Sequence, residues 1–135
     1  MNRWILKTDS DVYPFEQLER EGRVVWDGVS NPVALRHIRS MTPGDPLMIY
    51  HSGKTKEIVG LARVVSAPFP DPKHPDGKLT VVEIEAGRRL PTSVSLARIK
   101  ADPAFADLAL VRQPRLSVIP VPELQWSRLL TMAQE

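Results

Sequence analysis

A chain of 135 residues, 42% hydrophobic and 25% charged, has the size and balance of one compact soluble domain, and residues 1–135 are read as such. It has no cysteine, which excludes disulfides and thiolate metal sites, and its formal charge of +2 is too slight for a protein that coats duplex nucleic acid with a basic stripe. No apolar run is long enough to span a bilayer, and Met1-Asn2-Arg3-Trp4 lacks the apolar core of a signal peptide, so a cytoplasmic protein with no membrane partner is expected.

In chain order, Arg3 to Lys7 opens with a strand-like run. Asp9, Ser10 and Asp11 then offer capping oxygens, and Pro14 suits the first turn of a short helix that runs through Glu19 and stops at Gly22. Val24 and Val25 lead extended chain into Trp26-Asp27-Gly28. Asn31-Pro32 is the clearest helix start: the Asn side chain accepts from orphan backbone donors, and proline lacks the donor that would be orphaned. Val33, Leu35, Ile38 and Met41 recur with a spacing that lays this helix on a core, and Thr42-Pro43-Gly44-Asp45 turns the chain.

Leu47 to Tyr50 reads as a buried strand, followed by a turn at Ser52-Gly53-Lys54. Ile58 to Val65 is a second strand, interrupted at Gly60, where a bulge or a close backbone approach is expected. Ala67 to Lys78, with four prolines, reads as an irregular loop, and Leu79 to Glu85 as a third strand with Glu83 and Glu85 on one face. Ser93 to Ala101 and Pro103 to Leu108 are expected to be short helices, and Arg115 to Val121 a strand. The closing helix runs from Pro122 to Met132 with Leu124, Leu129 and Leu130 available to the core. Strands interspersed with short helices, without regular strand–helix alternation, predict an α+β fold built on a small mixed barrel.

Familiar catalytic signatures are missing. Gly53-Lys54-Thr55 imitates the end of a phosphate-binding loop, but the glycine that loop needs six residues before the lysine is Met48, with Ile49 beside it, so the segment reads as a turn. There is no nucleophile elbow and no His-Glu-x-x-His pair. His74, among Asp71, Lys73 and Asp76, reads as part of a solvated loop rather than as a metal ligand. No cofactor is expected.

Trp26-Asp27-Gly28-Val29-Ser30-Asn31 places an indole at a strand end, then a carboxylate, a permissive glycine and a helix cap. An indole face suits stacking on a base, and helix N-terminal amides add donors; the plainer reading makes Trp26 a core residue and Asp27 a turn former. Tyr50-His51-Ser52 and Lys7-Thr8 end strands, where a rigid scaffold can aim polar groups.

Taken in order, these segments resemble the EVE domain, a branch of the PUA-like superfamily related to the YTH and ASCH domains. The resemblance rests on Trp4-Ile5-Leu6-Lys7-Thr8, Asp11-Val12-Tyr13, Trp26-Asp27-Gly28-Val29-Ser30-Asn31, Gly44-Asp45, Tyr50-His51-Ser52, Ile58 to Ala62, Pro68 to Pro72 and Leu110 to Val118. It implies a PUA-like mixed β-barrel decorated by short helices, whose cleft accepts one unpaired or flipped base, modified by preference, from DNA or RNA. By position, Trp26 becomes the stacking wall, with Asp27 beside it, and Lys7 and Thr8 stand at the pocket mouth. Ser30, Asn31, Tyr50, His51 and Ser52 line the polar side, and Arg115 and Ser117 meet backbone phosphates or orient the pocket. A nuclease is the implied functional partner. The chain departs from many relatives in carrying Ser30 where they have arginine, Pro32-Val33 where they have Tyr-Gln, and no tryptophan within Asp76-Gly77-Lys78-Leu79.

Two other readings stay open. ASCH relatives include amidohydrolases acting on acylated cytidine, and Lys7, Thr8 and Glu83 or Glu85 would imitate their working trio. A protein-interaction module with an incidental cleft is the third.

Overall fold

The computed structural model describes residues 1–135. Its elements are β1 (Trp4–Asp9), α1 (Phe15–Glu21), β2 (Arg23–Trp26), α2 (Pro32–Arg39), β3 (Pro46–Ser52), β4 (Glu57–Val64), β5 (Phe69–Pro70), β6 (Thr80–Ser95), α3 (Leu96–Ala101), α4 (Ala109–Arg112), β7 (Val118–Pro120) and α5 (Glu123–Met132). A 3₁₀ turn at Pro103–Phe105 precedes α4.

The strands form one sheet in the order β2-β6-β4-β3-β1-β7, with β5 paired to β6 off this path. Only β1 and β3 run parallel, with Trp4 beside Leu47 and Asp9 beside Ser52; the other pairs are antiparallel. The sheet curls into a half-barrel, in keeping with the small mixed barrel that the α+β pattern predicts, around a core of 34 buried residues. Helix α2 packs on both β7, the last strand in the order, and β6, next to its other end, and so spans part of the gap that the curl leaves.

Local sequence accounts for several of these elements. The Asn31 side chain accepts from the amides of Val33 and Ala34, and Pro32 takes the first helical position, as a strong start requires. Gly22 ends α1 by returning its amide to Leu18 O. At Gly60 both sequence expectations are met. The pairing of β4 shifts register on either side of it, and the Phe15 ring lies directly against its Cα, where any added Cβ would overlap the ring.

Other elements differ from the sequence reading. The third strand extends ten residues beyond Glu85, to Ser95, so the helix expected from Ser93 begins only at Leu96, with Ser95 as its cap. Long-range pairing of this stretch with β4 outweighs its local helix signal. The proline loop contains β5, the strand expected over Arg115–Val121 is ordered only at Val118–Pro120, and the helix at Pro103–Leu108 is a single 3₁₀ turn. Pro14 and Pro122 cap their helices from outside rather than sitting in the first turn. The Asp9 side chain accepts from Asp11 N in a local turn and does not cap α1. Leu124 is 87% exposed, and Trp126 with Leu129 provides the buried face of α5 instead.

One buried polar arrangement had no local sequence signal. Asp45 accepts from Trp4 Nε1 at 3.1 Å and from both the amide and the hydroxyl of Thr42, which ties β1 to the turn before β3. Trp4 and Asp45 are buried while Thr42 is exposed, so it is the Trp4–Asp45 bond that removes a desolvation cost of order 1–3 kcal/mol.

The Gly60 contact yields a prediction. Gly60→Ala should lower unfolding free energy by roughly 1–3 kcal/mol, the range for overpacking a close contact. Phe15→Leu introduced alongside it should recover part of that loss. Chemical denaturation of the two variants measures both effects.

Candidate functional site

The curl leaves the two ends of the sheet facing one another without bonding. Strand β7 pairs β1 only from Trp4 to Leu6, after which Lys7 N donates to Ser117 O and the rest of the β1 edge is open. Across the gap stands the free edge of β2. Between them lies a cavity of about 380 Å³. One wall is Lys7, Thr8 and Ser117; the other is Val24, Val25 and Trp26, continued by Asp27, Gly28 and Val29. Val12 and Tyr13 complete it from the segment before α1.

Trp26 is at once a core residue and a wall of this cavity. Only 8% of its surface is exposed, so packing locks the ring in place, and Tyr13 meets it edge-on at 6.0 Å with the planes at 82°. Tyr13 therefore supplies the second aromatic ring that the 76–79 segment lacks. It is fixed at both ends, its carbonyl accepting from Thr8 Oγ1 at 2.8 Å and its hydroxyl donating to Glu21. Burial and the Glu21 carboxylate push the Tyr13 phenol well above its ordinary range, so it remains a neutral donor.

The polar groups of the cavity are few. Lys7 is half-buried; it donates to Pro114 O at 3.0 Å, and its ammonium lies 5.7 Å from the Tyr50 ring centre. No carboxylate pairs with it, and burial lowers its pKa. Asp27 accepts from Lys73 Nζ at 3.1 Å, which brings the proline loop to the rim, and Gly28 turns the chain away with φ +80°, a conformation that favours glycine. Val12, 76% exposed, stands at the mouth.

Of the residues singled out in the sequence, Lys7, Thr8, Trp26, Asp27 and Ser117 meet here. Tyr50, Ser52 and Arg115 line a second cavity of about 420 Å³ behind the Lys7–Thr8–Ser117 wall, which the two cavities share. Asn31 is occupied in capping α2, and Ser30 is exposed outside both cavities. His51 points the other way: it is 6% exposed, and its Nε2 accepts from Phe15 N–H at 2.9 Å. Sequence reasoning assigned no pocket role to Tyr13, Val12 or Val29. Only the position of Tyr13 before a helix start, in the same segment as Val12, hinted at one.

The amidohydrolase trio does not assemble. Glu83 and Glu85 are held by Arg23, with Arg63 also on Glu85, and neither lines the cavity of Lys7 and Thr8. The Thr8 hydroxyl is engaged by Tyr13 O, and Lys7 by Pro114 O. No group of three or more His, Asp or Glu side chains is arranged to hold a metal ion. No helix is long and apolar enough to cross a membrane.

Comparison with known proteins gives a consistent answer. The EVE domain family model matches residues 2–132. A protein of Rhodopseudomonas palustris solved by NMR superposes with a TM-score of 0.95 at 38% identity, covering 99% of this chain and 94% of that one. Thymocyte nuclear protein 1 of Rattus norvegicus is 23% identical over 98% of this chain and 74% of its own length. The human THYN1 protein, solved in complex with DNA containing 5-methylcytosine, has the same fold, with a TM-score of 0.90 at 22% identity over 100% of this chain and 99% of that chain.

The His51 bond sets a pH dependence. Accepting a backbone N–H requires Nε2 to be unprotonated, and burial, partly offset by Glu57 and Glu16, holds the ring below its ordinary 6.5. His37 is lowered as well, by burial and by Arg36. Between the depressed folded values and 6.5 the unfolded chain binds more protons, so stability is complete above that window and is lost as pH falls through it. Melting temperature should hold from pH 8 to 7 and drop on acidification below about 6.5, above the separate window in which Glu85 and Asp102, both lowered by arginine partners, protonate. His51→Gln, whose side-chain oxygen can take the same bond, should flatten the drop. His51→Leu should orphan the amide, at a cost of roughly 1–3 kcal/mol.

Proposed function

The chain belongs to the EVE domain family, and on that footing we propose that it is a nucleic-acid-binding reader whose cavity holds one nucleobase, modified by preference, against Trp26. The observation that carries this reading is the cavity itself: a volume of about 380 Å³ with aromatic and valine walls on one side and Lys7, Thr8 and Ser117 on the other. That size falls in the range of about 300–1,000 Å³ usual for small-ligand sites, and the mix of apolar walls with a few polar groups matches them too. A planar base fits the need of the indole and phenol for an aromatic partner. The Ser117 hydroxyl, the Lys7 ammonium and the Asp27 carboxylate offer both donors and an acceptor to its edge.

DNA carrying a modified cytosine is the first candidate ligand, because the THYN1 protein of the same fold was solved with 5-methylcytosine DNA. Valine side chains around the cavity suit an added methyl group. Extruding a base from a duplex costs a few kcal/mol, so single-stranded or loosened sites bind first. RNA with a modified base is the other polymer such a pocket would accept. A nuclease directed to modified DNA is the proposed partner, and the cytoplasm is the proposed location.

Titration of single-stranded oligonucleotides with and without one 5-methylcytosine tests the reading. The wild-type protein should prefer the modified strand. Trp26→Leu, which keeps an apolar plug in the core, should lose that preference, because stacking on one aromatic ring contributes about 1–3 kcal/mol. Trp26→Phe, retaining a smaller flat face, should keep part of it. A folded Trp26→Leu protein with undiminished discrimination would show that the base lies elsewhere.

A further inference from the structure

We propose that the second cavity, behind the Lys7–Thr8–Ser117 wall, holds phosphodiester groups of the strand whose base enters the first, so that the true ligand is a nucleotide within a single strand rather than a free base. The inference rests on the base-binding reading for the identity of the ligand, but its own support is separate.

Four basic side chains converge on this cavity: Lys7, Lys56, Lys100 and Arg115. None takes part in an ion pair, whereas Arg23, Arg63, Arg88 and Arg128 elsewhere on the surface are each neutralised by carboxylates. Asp9 is the one acidic residue on the lining, and its carboxylate is engaged by the Asp11 amide. Lys54, on the neighbouring turn, reaches Asp11 instead and stays outside the cavity. A concavity with four cations and one carboxylate focuses a positive potential on whatever occupies it.

The four cations come from separate parts of the chain that the fold ties together. Lys56 adopts the left-handed conformation, φ +49°, and its carbonyl accepts from Leu96 N at 2.8 Å, which joins the β3–β4 turn to the start of α3. Lys100 lies in that helix, Lys7 on β1, and Arg115 on the approach to β7. Lys7 leaves two of its three donors unassigned after bonding Pro114 O. Burial without a carboxylate partner lowers its pKa, and a phosphate beside it would reverse that shift. The hydroxyls of Tyr50, Ser52 and Ser117 add neutral donors.

Phosphate, rather than another anion, follows from the adjacency of the cavities. A nucleotide carries its base and its phosphates on either side of one sugar, and here a stacking cavity and a basic cavity lie on either side of one layer of side chains. Arg115 also borders the next concavity, beside Asn31, which extends the basic track along the same face.

The test uses the full chain and two single-stranded oligonucleotides of one sequence, with cytosine or 5-methylcytosine at one position, titrated over a range of salt. Lys56→Gln/Lys100→Gln should weaken binding of both strands by the same factor, on the order of tenfold at low salt. It should also reduce the salt slope by about 1.4, since each contact to a single strand contributes roughly 0.7. The ratio between the two strands should not change. Lys54→Gln/Lys78→Gln, which removes equal charge outside both cavities, should leave the slope near its original value. An unchanged slope in the first variant, an equal fall in both variants, or no binding of either strand overturns the phosphate site. A wild-type ratio of one between the two strands, with the slope falling as expected, overturns the base reading and leaves the phosphate site standing.

Discussion

The geometry of the site depends on how Phe15 is seated. Its ring lies on the bare Cα of Gly60, its amide donates to His51, and the Arg89 guanidinium lies 5.4 Å from its centre. Gly60 and His51 belong to adjacent strands, and Arg89 is the β6 residue paired with Gly60, so one buried side chain locks the start of α1 to the middle of the sheet. Tyr13 is two residues away and cannot move independently of that lock. It carries the second aromatic wall, and its carbonyl orients the Thr8 hydroxyl. A contact deep in the core thus sets the position of a ring at the surface, and an alteration at Gly60 would be felt in the cavity as well as in stability.

The same reasoning explains why a cavity exists there at all. A barrel that closed completely would satisfy the outer edges of β1 and β2 with each other and leave no gap. Here β7 is three residues long, ending its pairing at Leu6, and α2 fills only part of the remaining opening. The unpaired edges are protected instead by Val12 and Tyr13 and by the turn from Asp27 to Val29, which become the rim. A binding site at a seam of this kind is flanked by rigid strands while its rim comes from turns, the arrangement that lets a pocket vary in ligand without a change in fold.

Much of this was legible in the sequence where a local rule decides the structure. Asn31-Pro32, Gly22 and Gly60 each state a backbone requirement within a few residues, and each is met. What was not legible depends on partners distant along the chain. The run from Ala86 to Ser95 contains two arginines and a proline and offers helix-capping serines, yet it is a strand because β4 lies beside it. Asp45 looks like a turn residue until Trp4, 41 positions away, is seen to donate to it. Trp26 was singled out from its motif and does line the cavity, whereas Tyr13 reaches the same cavity through α1 packing, and Lys56 and Lys100 reach theirs through the bond between Lys56 O and Leu96 N. His51, which the motif grouped with Tyr50 and Ser52, faces the opposite side, as alternation along a strand demands for a residue between two others that share a cavity.

The departures at Ser30 and Pro32 can be understood in the same physical terms. Against the family pattern that the sequence resembles, which has an arginine in this turn, position 30 holds an exposed serine, and proline follows the Asn31 cap. The concavity beside Asn31 is nevertheless bordered by a guanidinium, that of Arg115, contributed by the segment leading into β7. A positive group at this end of the face is therefore supplied by a different strand approach, one that also borders the basic cavity behind Lys7. If a base is held against Trp26 as proposed, a cation on the β7 approach serves the backbone of the strand rather than the edge of the base, since Arg115 lines the basic cavity and not the Trp26 cavity. On that reading, discrimination would fall more heavily on the shape of the Trp26–Tyr13 cleft than on charged hydrogen bonds.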